Sequence, residues 1–452
     1  MAIEALSGWT RQQKLVVTAA FLGWALDAFD FFLMVFVLKD ISQEFGTSVQ
    51  QVGNAILLTL AARPVGAFIF GRLADRYGRR TTLTVDVLLY SVLGFASGFS
   101  TNLTMLLIIR ALFGAAMGGE WGVGASLAME TIPPKARGFV SGMLQAGYPT
   151  GYLLASLAFW FLFPIIGWRG MLMLGALPAL LVAFIRLGVP ESPAWIERQS
   201  EKPAEILVES NVPLIKNIRW VVESHSIFGA IARTALIKFL IVQLVDVIDF
   251  LSKHWKITLY SIVLMTAFNF FSHGSQDLYP TFLRVQHKFD PRTVGTIGVI
   301  LNIGAICGGI LFGAISQRIG RRRAIVIAAL LALPILPLWG LPADPVWLGL
   351  GAFLMQIAVQ GAWGVIPVHL NELSPPEGRG TFPGTVYQLG NLIASVNIYI
   401  QAGIAESHGN DYSYPMMLTI GIVAVIIAAV TAFGFEARGV SFLKNGRVHD
   451  PA

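Results

Sequence analysis

Gly71-Arg-Leu-Ala-Asp75-Arg76-Tyr-Gly78-Arg79-Arg80 returns later in the chain as Gly313-Ala-Ile-Ser-Gln317-Arg318-Ile-Gly320-Arg321-Arg322, an offset of 242 residues. Two further segments keep that register. Trp121-Gly122-Val123 recurs as Trp363-Gly364-Val365, and Glu130, Pro133, Pro134, Arg137 and Gly138 recur as Glu372, Pro375, Pro376, Arg379 and Gly380. One register held across three separated segments marks an internal duplication, so the fold is read as two related halves.

Composition says where those halves sit. Hydrophobic residues make up 55% of the 452 and charged residues 13%, and the mean hydropathy is +0.67. A soluble chain carries roughly a quarter charged residues, so this one cannot clothe itself in water. Its charges cluster at short intervals and leave apolar runs of ~20 residues, the length that crosses a bilayer as a helix. Twelve spans are predicted, near 15–38, 53–72, 81–99, 104–129, 138–161, 169–189, 256–283, 294–316, 323–341, 345–369, 380–403 and 414–436. The fold class is an all-α membrane protein, with 12 transmembrane helices in two pseudo-symmetric six-helix bundles.

The expected division is a first half over 1–189, a linker over 190–255, a second half over 256–437 and a tail over 438–452. Within the linker, Ile237–Leu251 is apolar but punctuated by Lys238, Asp246 and Asp249, which reads as an amphipathic helix at the membrane surface. Lys and Arg crowd the side holding both termini, the 72–80 and 318–323 loops and the linker. Lys39, Arg169, Arg284, Lys288 and Arg292 fall on the other. The positive-inside rule makes the crowded side cytoplasmic. A pI near 9.4 is read as topology signal, not as nucleic-acid binding. The single cysteine, Cys307, excludes a disulfide framework and a cysteine metal cluster, and the first span reads as retained rather than as a cleaved signal.

The 71–80 loop and its echo resemble the loop between the second and third helices of the major facilitator superfamily. Arg110-x-x-x-Gly114 with Gly118 and Gly119, and Pro190-Glu191-Ser192-Pro193, are similar to further patterns of that superfamily. The resemblance implies the major facilitator fold and alternating access. Gly71, Asp75, Arg76, Arg79, Glu130 and Arg137, with Gln317, Arg318, Glu372 and Arg379 in the second half, are then the expected gating set. Asp75 can accept from an arginine or from a helix N-terminus when that side is shut. Glu130 and Arg137 are expected in ion pairs across the bundle. The plainer alternative is that the arginines only anchor topology.

Ionisable residues inside spans are costly and usually functional. Asp27 and Asp30 share one face of the first span, Arg63 precedes Pro64 in the second, and Arg110 and Glu120 lie in the fourth. They read either as structural ion pairs or as proton-binding acids beside arginines that hold a carboxylate. Arg63, nearer mid-membrane, is expected to face the first helix.

In the seventh span Asn269, Ser272, His273, Gln276 and Asp277 fall at i, i+3, i+4, i+7 and i+8. That is one polar stripe, which must face a water-filled path or the other half. His273, with an ordinary pKa of ~6.5, lies one turn from Asp277 and can trade a proton with it. Asn269-x-x-Ser-His-x-Ser-Gln-Asp-x-x-x-Thr281 resembles the signature of lactate/pyruvate:proton symporters in the sialate and lactate permease family.

What the resemblance and these residues together imply is proton-coupled symport of a small monocarboxylate of the lactate/pyruvate class. Asn269, His273, Gln276, Arg63 and Arg110 would bind substrate, and Asp277, His273, Asp27 and Asp30 would carry proton coupling. Sialic acid or another larger organic acid stays open as substrate, as does a sensor without turnover. No catalytic residues, metal site or organic cofactor are expected. The proton is the coupling ion, membrane lipid is the other partner, and the chain is read as a monomer of the cell (inner) membrane. Gln145, Tyr148, Gln356, Gln360, Gln388, Asn391 and Asn397 are weaker lining candidates, while Trp121 and Trp363 read as packing residues.

Overall fold

The computed structural model describes residues 8–200, 235–436 and 438–442. The basic linker cluster between 201 and 234 and the tail beyond 442 lie outside the described residues. Among the described residues every regular element is helical.

Local chemistry sets the helix starts. Thr10 and Gln13 exchange side-chain and backbone hydrogen bonds at the head of Arg11–Phe36, and Ser48 and Gln51 do the same at the head of Val49–Tyr77. Asp290 and Asp344 each accept two backbone amides at the starts of Pro291–Ile319 and Pro345–Trp363. The second and third helices are separated by one residue, Gly78, with φ +101°. Gly320 repeats the device with φ +95°, a backbone state that side chains with a Cβ rarely adopt.

Several predicted spans are broken. The fourth divides into Leu103–Met117 and Glu120–Thr131, and the tenth into Pro345–Trp363 and Ile366–Leu373. The fifth pauses at Ala146 and then runs as Gly147–Met173 through a kink at Gly167 (φ +60°), beyond its expected end at 161. The eleventh divides into Phe382–Ala394 and Asn397–Ser407. Glycine pairs and polar residues at these points release the backbone, which hydropathy alone does not register.

The seventh span belongs to a long helix, Ala235–Gln276, whose geometry breaks at His254 (φ −120°, ψ 18°). The segment expected as a surface helix therefore leads directly into the span. The helix stops at Gln276 rather than 283. A short turn at Tyr279–Thr281 follows, then a π-helical turn at Phe282–Gln286.

Among the described residues, eight helical stretches are long and apolar enough to cross a membrane, and one of them, Arg137–Ile185, holds both the fifth and sixth predicted spans. The third, seventh and eleventh fall short of that standard because they carry polar groups: Asp86 in the third, the Ser272–Asp277 stripe in the seventh, Gln388, Asn391 and Gln401 in the eleventh. Those of the third and eleventh spans face protein. Asp86, Gln388 and Gln401 are at most 1% exposed.

Contacts between the halves gather at the end that carries the Gly78 and Gly320 turns. Gly122 and Gly384 pack so closely that a Cβ on Gly122 would lie 2.7 Å from the Gly384 Cα. A Cβ on Gly142 would lie 2.3 Å from the Gly309 carbonyl oxygen. Only hydrogen fits in either gap.

Candidate functional site

Charge inside the first half is concentrated on four helices. Arg63 is 3% exposed, with Nη2 3.5 Å from Asp27 Oδ2 and its guanidinium 5.3 Å from the centre of the Phe31 ring. It faces the first helix, as expected. Arg110 is 1% exposed and lies 3.8 Å over the Phe113 ring. Asp30, 3% exposed, sits within electrostatic reach of Arg110. Asp86, which sequence reading passed over, is fully buried on the third helix, and Glu120 is 1% exposed. The signal for Asp86 was available as a carboxylate inside an apolar run.

Across the seam, Ser272, His273, Gln276 and Asp277 are the partly exposed or exposed positions of their turn, while Phe271, Gly274, Ser275 and Leu278 are buried. His273 Nδ1 lies 3.2 Å from Asp277 Oδ2, and Nε2 lies 3.0 Å from Asn391 Oδ1 on the eleventh span. Asp277 is one residue past the helix end, but its amide still donates to the His273 carbonyl at 3.0 Å. Gln276 donates to Gln356 Oε1 at 2.8 Å, and Gln356 donates to Ser275 Oγ at 3.1 Å. Asn269 is drawn away from the stripe. Its amide nitrogen donates to the Met265 carbonyl one turn back at 2.8 Å, and the residue is 2% exposed.

The two groups of residues meet. Arg63 lies within electrostatic reach of His273, and the Tyr148 hydroxyl within reach of both Arg63 and Asp277. Beneath them is an aromatic floor shared by the halves. Tyr387 stands 4.7 Å from Trp121 and 5.5 Å from Trp363 by ring centres, and Trp24 stands 5.4 Å from Tyr148. Trp121 and Trp363 pack, as expected, and their packing closes the seam.

The residues expected to gate fall into two tiers. Asp75 accepts from the Gly380 amide at 2.8 Å, the Thr381 amide at 3.0 Å and the Thr381 hydroxyl at 2.6 Å. Gln317, its repeat partner, accepts from the Gly138 amide at 3.1 Å and donates to the Pro134 carbonyl at 3.0 Å. Gly71 packs against Thr381. These contacts join the halves. Within each half, Arg79 bonds Glu130 at 3.1 and 3.2 Å, and Arg321 bonds Glu372 at 2.9 and 3.1 Å, all with fully buried side chains. Glu191 accepts from the Arg79 and Arg80 amides, as Glu436 does from that of Arg322, and Ser192 donates to Glu130.

Two gating expectations need correction. Arg76 and Arg318 are exposed and do not reach across the seam; their carbonyls, not their side chains, accept from Gln199 and Arg438. Arg137 and Arg379 are not partnered by Glu130 and Glu372, because Arg79 and Arg321 at the helix starts already occupy those acids. Instead they take the chain's own tail. Their guanidinium groups lie 3.7 and 4.2 Å from the Phe442 ring centre, and they donate to the carbonyls of Val440 and Phe442.

Paired helix bundles, repeat-related latches at one end and a polar seam at mid-depth define a polytopic carrier of the membrane, not an enzyme. The chain matches the profile of the Major Facilitator Superfamily over residues 20–396 and again over 262–446. It belongs to that superfamily. Among curated proteins it is 28% identical to the carboxylic acid transporter protein homolog of Saccharomyces cerevisiae, over 92% of this chain and 67% of that one. It is 26% identical to the sialic acid transporter NanX of Escherichia coli, over 96% and 97%. The proton:xylose symporter XylE has the same fold, with a TM-score of 0.73 at 17% identity over 95% of this chain and 97% of that chain.

Proposed function

We propose that this chain takes up an organic acid together with a proton by alternating access around the Arg63–His273 seam. The observation that carries the reading is the meeting of Arg63, ion-paired to Asp27, with the His273–Asp277 pair of the other half. A carboxylate entering between them finds a guanidinium to pair with, and in doing so competes with Asp27. The displaced Asp27 carboxylate, with Asp30, Asp277 and His273, supplies sites for the proton that accompanies the anion. Gln276 orients the substrate and Arg110 holds Asp30. The relative named for carboxylic acids supports an organic acid, and the one named for sialic acid supports an acid larger than lactate.

The lactate/pyruvate reading stands second, favoured by the Asn269–Thr281 pattern, which resembles the sialate and lactate permeases. In this reading of the topology the latched end is cytoplasmic, both termini lie inside, and residues 1–189 and 256–437 are the rocking bodies of a monomer in the cell membrane. Proteoliposomes under an inward acid gradient, tested with labelled sialic acid and labelled lactate against a panel of unlabelled acids, decide it. Uptake of neither acid, with no competitor bound, would sink the assignment. Indifference to the gradient would sink proton coupling.

A further inference from the structure

Apart from Arg79, Glu130 and Arg137 at the latched end, the described helices of the first half bury four carboxyl groups and two guanidinium groups. Asp27 lies 3.5 Å from Arg63, and Asp30 is in reach of Arg110. Asp86 and Glu120 make no ion pair among the described residues, although Arg63 lies within electrostatic reach of Glu120. Each is at most 1% exposed, and none of their four oxygens accepts a hydrogen bond from another group of the protein. An ionised carboxylate held dry and without donors is among the most costly states a protein can adopt.

Their placement makes them one site. The Tyr90 hydroxyl, fully buried and itself unpartnered, lies within electrostatic reach of Asp27, Asp30, Asp86 and Glu120. A Cβ built on Gly119 would lie 3.0 Å from Asp86 Oδ1, so the Asp86 carboxyl abuts the residue next to Glu120. A Cβ on Gly23 would lie 2.2 Å from Glu120 Oε1, which puts Glu120 against the first helix, one turn before Asp27. The charged and titratable neighbours are thus Asp27 and Asp30 from the first helix, Arg63 from the second, Tyr90 from the third and Arg110 from the fourth.

Glu120 also touches the moving seam. It opens the segment Glu120–Thr131, and the next two residues pack across the halves, Trp121 on Tyr387 and Gly122 on Gly384. We propose that Asp86 and Glu120 form a proton store around Tyr90, and that Glu120 releases the coupled proton when the halves part at the latched end. Parting uncovers Trp121 and Gly122 and lets water reach the Glu120 carboxyl. There the O–H bond breaks, the proton passes to water and the carboxylate stays behind until, after closure, a proton from water admitted at the opposite end re-forms the O–H bond. Asp86, one helix further from the seam, keeps its proton throughout. This deepens the proton coupling proposed above and rests on it for the transport arm of the test.

Infrared titration of the purified full chain tests the store without any substrate. The carbonyl stretch of protonated carboxylic acid should be present at neutral pH and weaken in both Glu120→Gln and Asp86→Asn. Its absence from the wild type, or its persistence unchanged in both variants, overturns the proposal. In proteoliposomes loaded with labelled sialic acid or lactate, Glu120→Gln should keep exchange within a few-fold. It should lose acid-gradient-driven accumulation by tenfold or more, with a flattened pH profile. Gradient-driven accumulation by Glu120→Gln at the wild-type level overturns the release role. Should Glu120→Gln fail to exchange, Glu120→Asp replaces it: with the carboxyl group kept, exchange and gradient-driven accumulation should both return, and exchange without accumulation in that variant overturns the role. A wild type indifferent to pH while the infrared band is present would defeat the coupling assignment and leave the store standing.

Discussion

Asp75 of the first half accepts the backbone amide of Gly380 in the second, at 2.8 Å, and the repeat partners Gln317 and Gly138 make the reverse bond at 3.1 Å. The halves are therefore stitched by one bond type used twice, charged in one direction and neutral in the other. Charge-assisted bonds are shorter and stronger, and Asp75 gathers two more donors from Thr381.

Asp75→Ala should bias the protein toward opening at this end by ~2 kcal/mol, about the worth of a hydrogen bond to a charged group. Gln317→Ala should do so more weakly. Spin labels at the exposed positions 76 and 318 would report it as a growing long-distance population. Unchanged distances in Asp75→Ala would remove the latch role.

The Arg79–Glu130 and Arg321–Glu372 pairs have fully buried side chains. Taking one partner away strands a charge, at a cost of about 3–5 kcal/mol. Glu130→Gln and Glu372→Gln should both lower the melting temperature. Replacing Arg79 and Glu130 together with Met and Leu should cost less than Glu130→Gln alone. A double replacement that melts lower than the single would contradict this account.

Gly122→Ala puts a methyl group where only 2.7 Å separates it from the Gly384 Cα. Overpacking of this kind costs about 1–3 kcal/mol, and here it falls on the closed seam. Transport should drop by roughly tenfold, the equivalent of ~1.4 kcal/mol, with little change in thermal stability of the separated halves' own packing. A variant that transports normally would show that the seam need not close this far.

Arg63→Lys keeps the charge and loses the two-pronged geometry. If Arg63 holds the substrate carboxylate, the half-saturation concentration should rise about tenfold or more, the equivalent of 1.5–3 kcal/mol for a charged hydrogen bond. Arg63→Gln should raise it further. Competition assays across the acid panel measure both, and an unchanged half-saturation value in Arg63→Gln would move the anion site elsewhere.

At the opposite end, Arg169 and Trp168 donate to the Glu44 carboxylate, each at 2.6 Å. These bonds hold its pKa below the usual carboxylate value. Because the folded value is depressed, the stabilisation is present above the ordinary carboxylate pKa and is lost as pH falls through the folded one. The pair is more than a third exposed, so its worth is under ~1 kcal/mol. Glu44→Gln should melt slightly below wild type at neutral pH, and the gap should close in acid. A gap that widens in acid would reverse the sign.

The sequence carried the duplication, the latch acids and the seventh-span stripe, because each is a local pattern or a repeated one. It did not carry partnership. That Arg79 rather than Arg137 reaches Glu130, that His273 turns to Asn391, and that Phe442 returns to Arg137 and Arg379 all depend on elements far apart in the chain. Helix breaks were missed for a related reason, since a bilayer-length apolar run reads the same with or without a pause at Gly118 or Ser395. Asp86 was lost among Val85, Val87 and Leu88, whose apolar run reads as a span despite the carboxylate.

Phe442 lies between arginines 242 positions apart, one from each repeat. The symmetry of the duplication therefore ends on a residue that has no duplicate. Whichever way the halves separate at this end, the ring can follow only one guanidinium. Residues 440–442 are thus a tether whose two anchorages cannot both survive such a parting.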